Sequence, residues 1–420
     1  MRALLAALLA VLLMTAAPAP APAADDDAAA LDLADQAVAT APPVSAWRVF
    51  SEAAWSESTL RAGGLNRAWR LSIDLRVDKA VAERWRVVFA DRLDMRWQDD
   101  SSGHTDINTL KEAYVSWRAR PDRIADLGRI NVRNGVAYGY NPTDYFRAGA
   151  VRSIVSIDPS SLRENRLGSV MLRGQALWAA GSFTALFSPK LADQPSDAAF
   201  NADLGATNRR ARWLLAASHK LSDAFNPQVL LYGGEGESAQ LGLNLTALLN
   251  DATVAHVEWS GGRAPSLVSQ ALPLPDDTAF RSRLATGLTY TTASKLSLTL
   301  EYQYNGAGLD EAGWDALRSG PPQAYGAYRN FVADLQDPPT RRRVFLRAFW
   351  QDALLNHLDL TGMTYYDAVD ASRQLWVEAR YHWTRVDAAL RWQRNRGQPG
   401  SDYGALPERR VWQALARVYF

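Results

Sequence analysis

The sequence predicts a closed antiparallel transmembrane β-barrel of about 18 strands, with 16 strands as the alternative. Segments in which apolar and polar residues alternate recur from Ala46 onward, and a β-strand turns successive side chains to opposite faces. The connections between these segments are alternately short and long. The chain also ends on an alternating segment that stops at Phe420, which suits a barrel whose last strand pairs with its first. The closing strand of a soluble β domain is the alternative for this segment.

The first residues predict an export signal. Arg2 supplies a positive charge, an apolar stretch covers 3–17, and Ala21-Pro22-Ala23 offers a cleavage site. No later stretch approaches the roughly 18 to 20 apolar residues that a membrane helix needs, so residence in a membrane has to come from strands. The predicted organisation is a signal peptide at 1–23, a periplasmic N-terminal segment at 24–45 and a transmembrane barrel at 46–420, located in a bacterial outer membrane.

The composition excludes several classes of function. The 46 basic and 45 acidic residues leave a net charge of +1, which gives no indication of a nucleic-acid partner. The absence of cysteine excludes disulfides and cysteine-based metal or redox sites. The five histidines lack metal-ligand spacing, and Ser218 and His219, adjacent on a predicted strand, point to opposite faces. We therefore expect no enzyme activity, no catalytic residues, no metal and no cofactor.

The segment 69–77 shows the two faces of a predicted strand most clearly. Its apolar positions are Trp69, Leu71, Ile73, Leu75 and Val77, and the residues between them are Arg70, Ser72, Asp74 and Arg76. The same pattern recurs at 240–249, 296–304 and 374–383. We expect the apolar face of each strand to contact lipid and the polar face to line a wet lumen.

Aromatic residues near the ends of the predicted strands, Trp69 and Trp412 among them, are expected in two girdles at the membrane interfaces. An alternative position for some rings is the lumen, where they would serve as platforms for sugars. Strand parity makes Trp376 and Phe349 the candidates for that position.

The predicted connections alternate in length, as in barrels with short periplasmic turns and long extracellular loops. Short turns are expected near 79–82, 119–122, Gly174, 222–225, 250–251, 293–295, Ala353 and Arg385. Longer connections are expected near 62–66, 99–106, 134–162, 189–209, 235–238, 263–279, 306–340, 367–372 and 397–407. An even number of strands returns the C-terminus to the periplasmic side.

The last segment carries Trp412, Ala414, Ala416, Val418 and Phe420 on one face. This pattern resembles the C-terminal signal that bacterial outer-membrane proteins present to their assembly machinery. The resemblance implies that the barrel assembly machinery is a partner and that Phe420, Val418 and Trp412 form the assembly signal.

The most distinctive run, 128–147, leaves a strand and turns through glycines and an Asn-Pro pair. It opens a connection that reaches Asp158-Pro159, before a strand expected near Arg163. Such a long loop, with its own aromatic and charged residues, is typical of a functional element, so we expect 134–162 to fold into the lumen and narrow it. The candidate constriction residues are Arg129, Arg133, Asn141, Asp144, Tyr145 and Arg147. The alternative is that Arg129, Asn141 and Asp144 only fix the loop to the wall.

The pair Gly128-Arg129 at a strand end, followed by Asn141-Pro142-x-Asp144, resembles outer-membrane barrels of the porin or alginate-export type. The resemblance implies passive or facilitated passage of a small or polymeric polar solute. It names no solute, and it assigns no residue to substrate binding.

Inward positions of the predicted strands are rich in arginine, with acids between them. The candidate lining residues of the wall are Arg70, Arg76, Arg92, Arg347, Glu378 and Arg380. Rings of arginine lower the barrier for anions because fixed cationic charge partly replaces lost hydration, so a weak anion preference is one hypothesis. The alternative is a set of ion pairs between neighbouring strands that stabilise the wall and leave little net field.

Together these patterns predict a porin-like channel for polar solutes, anions among them, or for polysaccharide. One alternative is a receptor or adhesin barrel closed by extracellular loops such as 306–340. A second is an outer-membrane lipid hydrolase, for which the sequence offers no evident lipid-facing nucleophile. The solute and the oligomeric state, monomer or trimer, are left open.

Overall fold

The structure, a computed structural model, describes residues 46–98 and 104–420. The predicted signal peptide at 1–23 and the predicted periplasmic segment at 24–45 lie outside the described residues. Residues 99–103, which belong to a predicted connection, also lie outside them. In the two described ranges, no helix combines the length and the apolar character needed to cross a bilayer.

The described residues form one antiparallel sheet of 18 strands. The strands are β1 (Trp47–Leu60), β2 (Leu65–Ala82), β3 (Trp85–Gln98), β4 (His104–Arg120), β5 (Arg123–Ile130), β6 (Ser169–Trp178), β7 (Gly181–Ser188), β8 (Arg212–His219), β9 (Gln228–Gly234), β10 (Glu237–Asn250), β11 (Thr253–Ala264), β12 (Ala279–Thr291), β13 (Leu296–Asn305), β14 (Arg342–Trp350), β15 (Leu358–Asp367), β16 (Arg373–His382), β17 (Val386–Arg396) and β18 (Glu408–Tyr419). The helices in the connections are α1 (Pro159–Glu164), α2 (Leu204–Thr207), α3 (Leu267–Ala271), α4 (Glu311–Ser319) and α5 (Pro322–Leu335).

The sheet closes into a barrel because β1 pairs with β18, from Phe50 opposite Tyr419 to Leu60 opposite Glu408. The other edge of β1 pairs with β2, and every later strand pairs with the next along the chain. Closure gives each described strand two neighbours, as a sheet in lipid requires, because no water is present there to bond free backbone groups. The predicted closed antiparallel barrel of 18 strands is confirmed. The 16-strand alternative is wrong; even the short strand β9 pairs with both of its neighbours, β8 and β10.

The strands carry their apolar side chains outward and their polar side chains inward. In β2, Trp69 and Ile73 are 59% and 42% exposed, whereas Arg70, Ser72 and Asp74 are at most 6% exposed. An exposed apolar band of this kind is stable when lipid covers it. The predicted assignment of the two faces is confirmed.

The connections are short at one end of the barrel and long at the other. The short-turn end has connections of two residues at 83–84, 121–122, 179–180 and 251–252, and somewhat longer ones at 220–227, 292–295, 351–357 and 383–385. The long-loop end includes the connections that we name by their order as L3 (131–168), L4 (189–211), L6 (265–278), L7 (306–341) and L9 (397–407). The predicted asymmetry between the two ends is confirmed.

Three predicted boundaries are wrong. Gly174 lies within β6, where it pairs with Ala125 and Ala185, because a lone glycine facing outward does not interrupt the backbone pairing of a strand. The segment 79–82 belongs to β2, and its turn follows at 83–84. The strand expected near Arg163 begins at Ser169, since Arg163 lies in α1.

Candidate functional site: the lumen and loop L3

Loop L3 leaves β5 and crosses the lumen to the far wall, which it reaches at Gly135. A Cβ on Gly135 would lie 2.5 Å from Oε2 of Glu258 on β11, and the φ of +108° at this residue also favours glycine. The glycine in the distinctive sequence run therefore permits the backbone of L3 to approach a wall carboxylate.

The side-chain carboxylate of Glu258 anchors the first part of L3 by accepting hydrogen bonds from the backbone N–H groups of the loop. Val136 and Ala137 donate to its Oε2 at 2.9 and 3.0 Å. The N–H of Thr143 donates to its Oε1 at 2.8 Å, and the Thr143 hydroxyl donates to the same oxygen at 2.9 Å. Glu258 is fully buried, so these donors replace the water that the carboxylate has lost.

Glu301 on β13 holds the next three residues in the same way. The N–H of Tyr138 donates to its Oε2 at 2.8 Å, and the N–H groups of Gly139 and Tyr140 donate to its Oε1 at 3.2 Å. Successive N–H groups turned toward one carboxylate form an anion-binding concavity. Six backbone donors of L3 are thus directed to two buried acids of the opposite wall.

The Asn-Pro-x-Asp turn lies beside these anchors. The side-chain amide of Asn141 donates to the carbonyl of Ala137 at 2.7 Å and to Glu258 at 3.0 Å. Asp144 accepts two hydrogen bonds from Arg166, near the end of L3, at 2.8 and 3.0 Å. The structure thus places Asn141 and Asp144 in contacts that tie L3 to the wall and to itself.

Two loop carboxylates are held in their ionised form. Burial tends to raise the pKa of Asp144, but the guanidinium groups of Arg166 and Arg163 outweigh burial and keep the pKa below its ordinary value. Burial likewise tends to raise the pKa of Asp337 in L7. The guanidinium of Arg147 outweighs that effect and keeps the pKa of Asp337 below its ordinary value. Because the folded-state pKa is depressed, the stabilisation is complete above the ordinary carboxyl pKa of about 4 and is lost only in more acidic solution.

Tyr145 and Arg147 connect L3 to its surroundings. The Tyr145 hydroxyl lies 2.9 Å from Ser260 Oγ on β11, and its ring stacks on Tyr232 with centroids 4.4 Å apart. Burial raises the pKa of Tyr145 to about 12. Arg147 forms an ion pair with Asp337 of L7 and donates to the carbonyl of Leu335 at 3.1 Å. The two long loops are therefore joined by a charged contact inside the barrel.

L3 lies between two cavities. On the long-loop side a cavity of about 350 Å³ is lined by L3, L7 and L9, including Arg163, Asp337 and Tyr403. On the short-turn side a cavity of about 710 Å³ is lined by the wall and by 131–134 of L3. Because L3 contributes to both linings, it is the element that separates them.

Arg133 stands out among the charged residues near this separation. It is exposed to the lumen, lines the short-turn cavity, and shares a smaller cavity of about 160 Å³ with Arg48, Lys111 and Glu164. Within 46–98 and 104–420, no carboxylate lies at ion-pair distance from Arg133. Its field does reach Glu164, whose carboxylate is paired with Arg48 at 3.1 Å.

Most wall arginines are instead neutralised by acids on the same strand or on a strand one or two places away in the sheet. The pairs include Arg70 with Glu52 at 2.5 Å, Arg92 with Asp94 at 3.0 Å, Arg76 with Glu112 at 2.5 Å and Arg380 with Glu378 at 2.9 Å. Several of these side chains are almost fully buried. Paired charges of opposite sign produce little net field in the lumen.

Arg129 and Arg347 occupy different surroundings. The Arg129 guanidinium is buried and donates to the carbonyl of Ala202 in L4 at 2.5 Å. Arg347 lies over the ring of Tyr138 in L3, 4.4 Å from the ring centroid, and also over Phe349. The candidate constriction and lining residues are therefore spread over several separate contacts around L3.

Sequence reasoning missed the role of Glu258 and Glu301. Alternation with apolar neighbours gives both side chains an inward direction, but nothing in their local sequence connects them to L3. The available signal was indirect: a glycine-containing run with many free backbone donors needs acceptors when it is buried, and buried acids on the wall can supply them.

No family model matches the chain, and no curated protein matches it. Solved structures do match. Acinetobacter baumannii OccAB1 aligns with a TM-score of 0.58 and 12% identity over 89% of this chain and 96% of that one. Pseudomonas aeruginosa OpdQ aligns with a TM-score of 0.55 and 11% identity over 90% and 99% of the two chains. The outer membrane protein OpdK from Pseudomonas aeruginosa aligns with a TM-score of 0.52 and 8% identity over 89% and 98%.

These similar structures are outer-membrane porins with 18-strand barrels. At such low identity they show the fold that this chain shares with them. They support the porin-like part of the resemblance seen in the sequence, and they give no support to the alginate-export part.

Proposed function

We propose that this barrel is a channel of the bacterial outer membrane through which small polar solutes pass. The observation that carries the proposal is a closed barrel, apolar outside and polar inside, whose lumen holds cavities of about 350 and 710 Å³ on the two sides of L3. Passage would be filtered by the width that L3 leaves and by the charges and hydrogen-bonding groups beside it.

The porin fold of the similar structures supports this function over catalysis. The contacts of Ser218 and His219 point the same way, since the Ser218 hydroxyl lies 2.9 Å from Ser182 Oγ and His219 lies 3.4 Å from the Trp178 indole nitrogen. A hydrolase needs its nucleophile and its base within hydrogen-bond reach of each other. The proposed channel therefore has no catalytic step.

A small solute fits the lumen better than a polymer does. L3 is held across the barrel by the bonds from its backbone to Glu258 and Glu301, so a polysaccharide chain would have to displace it. We therefore propose small polar molecules as the solute class.

Deleting 134–162 from L3 should raise the single-channel conductance severalfold in a planar bilayer, because the element that separates the two cavities is removed. Heat-modifiable electrophoretic mobility would check that the variant still forms a barrel. A matched control is deletion of 273–275 in L6, which is exposed and leaves L3 intact.

The same measurement separates the channel from a receptor or adhesin closed by its loops. L7 contacts L9 through Arg329 and Asp402, 3.2 Å apart, and contacts L3 through Arg147 and Asp337. A wild-type barrel with almost no open current would favour the closed receptor. Equal conductance of the wild type and the 134–162 deletion would show that L3 is not the constriction.

We propose a weak anion preference that depends on Arg133, since most other lumen arginines have acid partners. The Arg133→Glu variant should shift the reversal potential in a salt gradient toward cation selectivity, because it reverses the charge at an exposed position of L3 that lines the short-turn cavity. Arg120→Glu is the control, since Arg120 is exposed at the short-turn end and lines neither cavity. Clear cation selectivity of the wild type would remove the proposed preference.

The assembly signal is also proposed. Trp412, Val418 and Phe420 are exposed on the outward face of the closing strand and beyond its end, where the barrel assembly machinery and outer-membrane lipid could reach them. This placement supports, for these residues, the role that the sequence resemblance implies.

A further inference from the structure

Four arginines form a patch on the outer surface of the barrel near its long-loop end. They are Arg373 on β16, Arg394 and Arg396 on β17 and Arg410 on β18, and we name them the rim patch. All four are exposed. Asn395, between two of them, is buried and faces the lumen, so strand alternation directs Arg394 and Arg396 outward.

The register brings like charges together. Arg373 lies opposite Arg396, and Arg394 lies opposite Arg410. Arg394 also lies in the field of Arg409. Like charges directly opposite each other on neighbouring strands destabilise the pairing, so this arrangement calls for a compensating anion.

The described residues do not supply that anion. Among them, no carboxylate lies at ion-pair distance from any member of the rim patch, and Arg410 donates only to the Thr59 hydroxyl, at 3.3 Å. Glu57, outward on the adjacent strand, is already paired with Arg67 at 3.0 Å. Glu408 lies two residues from Arg410 on β18 and shares its parity, but no ion pair joins it to the rim patch. Among the described residues, the positive charge of the rim patch therefore has no carboxylate at ion-pair distance.

Neighbouring aromatic rings indicate the depth of the rim patch. Trp392 and Trp412 lie opposite each other, with ring centroids 6.2 Å apart, and aromatic rings gather at membrane interfaces. Arg394 and Arg410 each lie two residues beyond these rings, a rise of about 7 Å along a strand. Two residues from Trp392 in the opposite direction, toward the middle of the barrel wall, the outward side chain of Leu390 is 52% exposed, as expected for a residue that faces the acyl chains. The guanidinium groups thus stand at the height of lipid head groups.

We propose that the rim patch binds the phosphorylated head group of a lipid in the extracellular leaflet. Guanidinium groups bind phosphate through paired N–H donors, and a clustered set suits a head group with more than one phosphate. The acyl chains of the same lipid would lie against the outward apolar residues Leu375 and Leu390, which are 37% and 52% exposed. The inference depends on the proposed outer-membrane location and is independent of the channel.

The test compares lipid binding by the full-length protein in detergent, measured by native mass spectrometry and by titration. The probes are a bisphosphorylated glucosamine-disaccharide lipid and the same lipid after removal of its phosphates. We expect the wild type to bind the phosphorylated lipid at least about tenfold more tightly. Replacing all four arginines of the rim patch by glutamine should abolish most of that difference.

The matched control replaces Arg84, Arg123 and Arg385 by glutamine, since these arginines are exposed at the short-turn end, and it should bind like the wild type. A second variant with lysine at the four patch positions keeps the charge without the paired donors and should retain part of the affinity. If the glutamine variant does not form a barrel, the lysine variant still tests whether the paired N–H donors of the arginines contribute to lipid binding.

Equal binding of the two lipids by the wild type, or of the phosphorylated lipid by the wild type and the glutamine variant, would overturn the proposal. Displacement of the lipid by millimolar inorganic phosphate would also overturn it, because the patch would then be a site for free phosphate. Self-association that is lost in the glutamine variant, without selective lipid binding, would assign the patch to a protein contact. The glutamine variant should conduct like the wild type, because the rim patch lies outside the lumen. Lipid binding and conductance therefore test the two proposals separately, and one can fail without the other.

Discussion

The Glu258→Ala/Glu301→Ala double variant should release L3 from the far wall and raise single-channel conductance severalfold. These carboxylates accept six backbone N–H bonds from 136–143, and hydrogen bonds to charged groups contribute about 1.5–3 kcal/mol each. Without the acceptors, the buried donors of L3 would have to reach water in the lumen, which favours a displaced loop. Planar-bilayer recording of the two single variants and the double variant would measure the change.

Asp126→Ala is a matched control for this prediction. Asp126 is also a buried acid of inward parity, but its partner is Arg173 at 2.8 Å, on the neighbouring strand. Its loss should leave the conductance close to that of the wild type. If the double variant conducted like the wild type while deletion of 134–162 raised conductance, the remaining contacts of L3 would be sufficient to hold it in place.

The Asp144→Ala variant should loosen the second half of L3. It removes the carboxylate that pairs with Arg166, whose side chain is 1% exposed, and removing one partner of a buried pair costs about 3–5 kcal/mol. Arg166 keeps its bonds to Asn131 and to the carbonyl of Val132, so we expect a loss near the lower end of that range. Hydrogen exchange of amides in 144–168 should accelerate by about two orders of magnitude.

Two further variants show whether the charge pair is the cause. Asp144→Asn keeps an acceptor of similar shape and should cause a smaller acceleration. Combining Asp144→Ala with Arg166→Met should restore much of the protection, because the almost fully buried Arg166 charge is then no longer left without its carboxylate. Arg163, 3.7 Å from Asp144, keeps its charge, but its side chain is 21% exposed and water can reach it. Exchange at the wild-type rate in Asp144→Ala would mean that the loop depends on other contacts.

The fold was largely predictable because a barrel follows from a local property of the chain. The alternation of apolar and polar residues, as at Trp69 and Arg70, sets which side chain faces outward. A pattern that repeats every two residues can be recognised within any single strand. Closure, the number of strands and the alternation of short and long connections then followed from segments read one at a time. The turn at 179–180 was missed because its two alanines carry no turn signal, whereas Gly174 carries one and lies within a strand.

The contacts of the lumen were much less predictable. Tyr138 and Glu301 are 163 residues apart in the chain, and their contact depends on the curvature of the closed sheet and on the path of L3. The sequence placed both near a predicted lumen, but it contained no information on their distance. The same holds for Asp337, which reaches Arg147 only because L7 turns back into the barrel.

By itself, the sequence determined the fold class, the direction of the wall side chains and the presence of a long loop rich in glycine and charge after β5. Only the tertiary structure decided which inward charges are neutralised by an acid. Arg76 is paired with Glu112 at 2.5 Å, whereas Arg133 has no carboxylate at ion-pair distance among the described residues. The physical reason is that strand periodicity fixes the direction of a side chain, whereas strand register, barrel closure and the path of L3 set the distances on which charge pairing depends.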